Sequence, residues 1–412
     1  MNKPDIRFNG FNEEWTEKKY KEVFDTSVSN NTLSRAELTT EKTATKNVHY
    51  GDILIKYNSI LDVKKDDFPF VPDEVKMDPR NFLKNGDIVF ADTAEDETCG
   101  KATEINNLEH ENVVAGLHTF VARPKNVFEE KYLGYFVNSP AYHNQLIPFM
   151  QGTKVTSISK SNIQKTTVKY PESAEQKKLG ALFSQIDSLI ASTQKEHEKL
   201  VALKKCMLQK MFPKKGSPVP EIRFKGFTGD WIQQKFGYIL EELTERTTSD
   251  QEDVLLTSAI DGVFLNSEYF SHQRGQSTIG YKKIVKNTLI LSAQNLHLGN
   301  ANVNLKFEHG IISPAYNCYL LINCVPEFIS AWVKRDSTKQ FFFDATTVGA
   351  SVCRRNVDWN LLYNQFLQIP TIEEQQKIGS YFQNLDNLIS KQSAELEKLK
   401  NVKKTLLSKM FV

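Results

Sequence analysis

The chain has 412 residues and no apolar run near the ~18 residues that a membrane-spanning helix needs. Met1 to Arg7 are polar and lack the apolar core of a signal peptide. Cysteine is scarce: Cys99, Cys206, Cys318, Cys324 and Cys353 are scattered, odd in number and form no CxxC pair. That argues against a disulfide framework and against zinc, and a reducing, cytoplasmic location is expected. Charge of one sign is also lacking, with a formal net charge of +2, so any basic surface must be local. The eight histidines include no HExxH, and there is no GxxxxGK[ST] loop. Nor is there a glycine-rich strand–turn–helix of the kind that holds S-adenosylmethionine. His118 is the most site-like histidine, but a lone histidine is more often structural. No catalytic residue or metal site is expected.

What the chain does have is a repeat. Residues 4–15 read PDIRFNGFNEEW and residues 220–231 read PEIRFKGFTGDW, identical at seven of twelve positions. Residues 171–212 align without a gap on residues 370–411, at an offset of 199. Both copies run from a proline, through Glu-Gln, Gly, Phe and Asp, to Lys-Lys and a final Lys-Met-Phe. Between these segments the halves diverge, with faint echoes such as Lys84–Val89 against Lys286–Leu291.

Each matched segment reads as a long helix. Pro171 and Pro370 precede them, and Thr371 with Glu374 makes a capping-box pattern. Heptad spacing gives one apolar column of Leu179, Ile186, Thr193 and Leu200 against Ile378, Leu385, Gln392 and Leu399. A second column takes Leu182, Leu189, Glu196 and Leu203 against Tyr381, Leu388, Glu395 and Val402. The pattern predicts a two-helix seam with Leu179, Ile186, Leu189, Leu200, Leu203, Ile378, Leu385, Leu388, Leu399 and Val402 in it. About 40 residues give roughly 60 Å of helix. A domain of about 150 residues is only some 40 Å across. A short linker, Pro213–Pro220, ties the second domain to the end of the first helix, and that domain runs directly into the second helix. Antiparallel helices bring those two ends together, so a pseudo-two-fold pair of antiparallel coiled-coil helices is expected.

The fold class is α+β, with two mixed α/β domains. Gly51–Tyr57, Asp87–Phe90 and Thr288–Leu291 read as strands, and 129–138 and 327–335 as helical. The expected division is a first domain over 1–170, a helix over 171–212, linker and second domain over 213–369, and a second helix over 370–412. Residues 150–170 hold four lysines and no acid, and 345–357 hold Arg354 and Arg355 and no acid. Cations beside backbone amides and hydroxyls are what phosphate contacts use. The candidate DNA contacts are therefore Thr153, Lys154, Thr156, Ser157, Lys160, Ser351, Arg354 and Arg355. Lys56, Tyr57, His118, Gln294 and Asn295 are lesser candidates, as polar groups at strand ends.

Two divergent domains, each followed by a near-identical helix, resemble the specificity subunit of a type I restriction–modification enzyme. The helices and the opener Pro-x-Ile-Arg-Phe-x-Gly-Phe-x-x-x-Trp carry the likeness, which covers essentially the whole chain. The resemblance implies two target-recognition domains reading a split, asymmetric site in double-stranded DNA, with the helices setting the gap. It implies two methyltransferase (modification) subunits docked on the helices and motor–nuclease (restriction) subunits joined through them. S-adenosylmethionine, ATP and Mg would belong to those partners, with no cofactor in this chain. Two rival readings remain. A coiled-coil scaffold joining two protein-binding domains explains the helices equally well, but not the basic stretches. A methyltransferase is suggested by Ser139-Pro140-Ala141-Tyr142 and Ser313-Pro314-Ala315-Tyr316, yet both lack the second proline of the base-holding motif.

Overall fold

The computed structural model describes residues 3–152, 154–214, 216–270, 277–351 and 354–412, with the side chains of 348–351 and 354 left outside the description. The chain divides into two compact units. Met1–Thr193 with Glu395–Val412 forms the first, and Gln194–Ala394 forms the second.

In the first unit Thr16–Lys19 pairs antiparallel with Thr167–Tyr170. A five-stranded sheet follows the order Phe24–Asp25, Thr119–Pro124, Ile88–Ala91, Ala102–Asn106, Ile60–Asp62. A second sheet places Thr45–Val48 between Phe70–Val71 and Asn112–Ala115, parallel to the latter. The second unit repeats this scheme. Ile232–Lys235 pairs with Phe366–Ile369. One sheet runs Leu240–Glu242, Tyr316–Leu321, Thr288–Ser292, Ala301–Asn304. The other runs Gly262–Leu265, Leu255–Ala259, His309–Ile312, Lys282–Val285, with its middle pair parallel. Sequences that share little beyond their ends thus place four main-sheet strands in one order, although the first unit adds Ile60–Asp62 there and the second unit's other sheet has one strand more.

The expected strand at 51–57 is instead a helix, Tyr50–Ile55. His49 caps it, its Nδ1 accepting from the Gly51 N–H at 3.1 Å, and Asp52 sits in the first turn. This local hydrogen bonding outweighs the alternation of apolar and polar residues, and it leaves Ile55 87% exposed. The acid-free stretch at 345–357 contains two paired strands, Thr346–Ser351 and Arg354–Val357.

The long helices span Ser173–Lys210 and Ile372–Lys409. In the first unit the start of one packs on the end of the other: Leu179, Phe183 and Ile186 share a core with Met410 and Phe411. Phe183 and Phe411 stack at 5.5 Å, and Lys403 pairs with Asp187 at 2.5 Å. In the second unit Leu208, Met211 and Phe212 share a core with Ile378, Phe382 and Leu385. There Phe212 lies 6.0 Å from Phe382, and Lys204 pairs with Asp386. Both pairings are antiparallel and use equivalent residues. Gln392 also donates to Glu196 at 3.3 Å, in the expected polar layer.

The buried stripe follows Leu179, Phe183, Ile186 and Ile190, stepping by four and then three. The expected second column stepped by three first. As a result Leu189, Leu203, Leu388 and Val402 lie outside the stripe, at 54, 38, 48 and 42% exposure. Phe183 and Phe382, both 2% exposed or less, decide the register, each buried more completely than its preceding neighbour, Leu182 or Tyr381. Leu179, Ile186, Ile378 and Leu385 are buried, and Leu200 and Leu399 half-buried.

The short openers complete each unit. Arg7 reaches both carboxylate oxygens of Glu175, at 2.8 and 2.7 Å, and Arg223 does the same to Glu374, at 2.7 and 2.7 Å. Glu374 is therefore spent on Arg223, and the capping box is only half formed, with Thr371 Oγ1 accepting from the Glu374 N–H at 3.4 Å. A bidentate charged pair is stronger than a return bond to a cap amide. Trp15 packs edge-on to Phe411, and Trp231 edge-on to Phe212. The Ile6 N–H donates to Lys409 O and the Ile222 N–H to Lys210 O, at 3.0 and 2.8 Å. Gly180 and Gly379 are needed where each helix meets its domain: a Cβ would lie 2.7 Å from Glu130 O or from Glu327 Cβ.

Candidate nucleic-acid interface

In the first unit three candidates come together. Thr156–Ser157 is a short strand paired with Thr93–Ala94, with Ser157 opposite Thr93. Thr93 Oγ1 lies 3.4 Å from His118 Nδ1, and His118 is held by Asp92 at 3.3 Å and by the Tyr50 ring at 5.2 Å. His118 adopts a left-handed backbone, φ 54°, which turns its half-exposed ring outward from the strand end. Lys154 is exposed nearby in sequence, and Thr153 lies outside the described residues. Lys160 opens a short helix and donates to Thr26 O.

Lys56 and Tyr57 sit elsewhere. Tyr57 is 3% exposed, and its hydroxyl donates to Asp67 O at 3.0 Å. Burial pushes its pKa well up, so it stays neutral and belongs to the core. Lys56 donates to the same carbonyl at 2.7 Å. It also borders a cavity of about 660 Å3 together with Arg35, Lys42, Lys46, Lys64 and Lys65. Thr39, Thr40 and Thr43 add hydroxyls. Arg35 is paired with Asp52 at 2.7 Å and Lys64 with Glu109 at 2.5 Å, whereas Lys42 has no such partner among the described residues. Asp66 and Asp67 also line it, so the six cations outnumber the carboxylates there, and a concavity with that excess suits a polyanion.

In the second unit Gln294 and Asn295 are exposed just after strand Thr288–Ser292. Arg355 is occupied: it donates to Thr346 Oγ1 and O at 2.6 and 3.0 Å and stacks over Phe343 at 3.9 Å. The backbones of Ser351 and Arg354 are paired, and their side chains fall outside the description.

The family model for the type I restriction modification DNA specificity domain matches residues 12–202. Residues 12–202 are therefore similar to the DNA specificity domain of type I restriction–modification systems. It is 21% identical over 343 residues to the putative type I restriction enzyme MjaX specificity subunit of Methanocaldococcus jannaschii, covering 78% of this chain and 77% of that one. Two solved structures share its fold. The S subunit from M. genitalium superposes with a TM-score of 0.59 at 14% identity, over 100% of this chain and 99% of that one. A chain from a type I R-M system studied for complex assembly and conformational transition gives 0.51 at 15% identity, over 98% and 99%. The matched stretch is a DNA sequence recognition domain.

The methyltransferase-like motifs have other uses here. Tyr142 is buried, its hydroxyl 3.0 Å from Thr166 Oγ1, in a short helix opened by Pro140. Tyr316 donates to Ser258 O at 3.0 Å. The cationic cavity at Arg35–Lys65 was not visible as a motif, because its lysines are interleaved with Asp62, Asp66 and Asp67 and converge only on folding. Among the described residues no helix is long and apolar enough to cross a membrane.

Proposed function

We propose that each unit reads one half of a bipartite, asymmetric site in double-stranded DNA, and that the paired helices fix the distance between the halves. The recognition domains are taken as residues 1–170 and 213–369, and the spacer helices as 171–212 and 370–412. Rigid spacing translates into a fixed base-pair separation. One observation carries this reading: the two units repeat one strand scheme and one set of helix contacts, while the sequences between the shared ends differ. A constant frame with two different surfaces is what an asymmetric split target requires.

In the first unit Lys154, Thr156, Ser157, Lys160 and His118 are the proposed contacts, with the cavity beside Lys56 tracking phosphates. Gln294, Asn295, Ser351, Arg354 and Thr153 remain proposed contacts. Arg355 and Tyr57 would serve by holding the surface in shape. The exposed helix faces would dock two methyltransferase subunits, with restriction subunits joining through them in the cytoplasm. S-adenosylmethionine, ATP and Mg would act on those partners. Deleting the gene should erase one split N6-methyladenine motif from the methylome. Exchanging residues 16–170 for those of another family member should change one half of the motif only. An unchanged methylome in a strain with such methylation would overturn the proposal. The scaffold alternative is separated by duplex affinity: DNA reading requires a log–log salt slope of several phosphates.

A further inference from the structure

The second unit contains a cavity of about 710 Å3 between the last turns of the first long helix, the segment at Pro213, and the short helices Pro326–Val333 and Asp336–Asp344. Lys204, Lys205, Lys214, Lys334, Arg335 and Lys339 line it, against the carboxylates of Asp261 and Asp336. Three of the cations have acidic partners: Lys204 has Asp386, Lys214 has Glu221, and Lys339 has Asp336. Among the described residues the other three, Lys205, Lys334 and Arg335, form no ion pair.

Lys334 donates to Ile260 O at 2.7 Å and to the neutral side chain of Asn302. Arg335 donates to Pro213 O at 3.2 Å and stacks over Phe212 at 4.6 Å. Its Nε–H is buried without a partner among the described residues. Lys205 is exposed. Burial lowers the pKa of Lys334 to about 8 and that of Arg335 to about 10. For Arg335 no carboxylate offsets the desolvation. Asp261 and Asp386 offset the cost of Lys334 only in part, and adjacent half-buried cations, one with an unsatisfied donor, are costly. An anion seated in the cavity would supply counter-charge beside both side chains.

We propose that this cavity binds a phosphate group, with Arg335 and Lys334 as inner contacts and Lys205 at the mouth. The guanidinium fork and two ammonium groups match a multiply charged tetrahedral oxyanion better than a single carboxylate. The apolar wall of Val201, Leu208 and Val333 leaves room for the remainder of a small phosphate compound. The phosphate belongs either to such a compound or to a DNA backbone, and the two are separable.

The test uses the full chain and pyrophosphate, with chloride at equal ionic strength as control. Pyrophosphate should raise the Tm of the second unit saturably. Arg335→Met and Lys205→Ala should each weaken that effect about tenfold or more. In phosphate-free buffer Arg335→Met should hold or raise the Tm, whereas an arginine retained only for packing would lower it. Should Arg335→Met fail to fold, the exposed Lys205→Ala decides. If pyrophosphate has no effect but the variants each reduce the salt slope of duplex binding by about one, the phosphate is that of the DNA. Failure of both readouts overturns the proposal. Pyrophosphate binding without DNA binding would sustain it while removing the DNA reading.

Discussion

The two units differ most where their strand scheme is most alike. In the first, Glu104 lies opposite Ile88 and is 2% exposed, accepting from the N–H groups of Lys131 and Gly134 at 2.6 and 2.8 Å. In the second, Asn302 lies opposite Ile290, the counterpart of Ile88 in the Lys84–Val89 echo, and accepts from Lys334. Burial raises the pKa of Glu104 to about 7 and lowers that of Lys334 to about 8. One sheet position therefore carries a buried acid in one unit and a neutral amide beside a buried base in the other. The frame tolerates opposite electrostatics because each polar group is satisfied by the end of the short helix packed against the sheet.

The largest test of this equivalence is at the helix ends. Phe411→Ala and Phe212→Ala should each cost about 3–4 kcal/mol. By calorimetry the first should lower the transition of the first unit and the second that of the second. If both act on one transition, the units are not separate bodies.

The buried ionisable groups should split the units next. A carboxyl with a raised folded pKa adds stability below its unfolded value, and that contribution is lost as pH rises through the folded one. Comparing wild type with Glu104→Gln from pH 4.5 to 8 should thus show a loss of about 3 kcal/mol confined to the first unit. Lys334, with a lowered folded pKa, runs the other way: without phosphate, the second unit should gain stability from pH 8 to 10.5. A flat difference curve for Glu104→Gln would show that its carboxyl is not desolvated.

Arg7→Ala and Arg223→Ala each strand a carboxylate that is 1% exposed. Chemical denaturation should give about 2–3 kcal/mol for each. Costs differing by much more than 1 kcal/mol would break the symmetry of the openers. Smallest, Leu189→Ser and Leu388→Ser should change stability by about 0.5 kcal/mol or less, against about 2–4 kcal/mol for Ile186→Ala. A large effect at Leu189 would return it to the seam.

The helices, their direction and the repeat were legible because identical residues recur at a fixed offset and the linker is short. The seam was legible in one column only, since spacings of three and four both fit until Phe183 and Phe382 are seen to anchor the domain cores. The role of Arg7 and Arg223 could have been inferred from their identity in both openers, but their partners lie 168 and 151 residues away. The helix at Tyr50–Ile55 escaped because a histidine cap is a weak signal in sequence. Arg355 looked free in the sequence, and only the fold supplies Phe343 and Thr346 to hold it.

Because Glu395–Val412 belongs to the first unit, order of synthesis and order of completion are reversed. Residues 194–394 hold everything the second unit needs, so it can close on the ribosome as soon as they have emerged. The first unit is made first, yet Trp15, Phe183 and Tyr132 wait for Phe411. A premature stop near the end of the message would spare the nearby domain and injure the distant one.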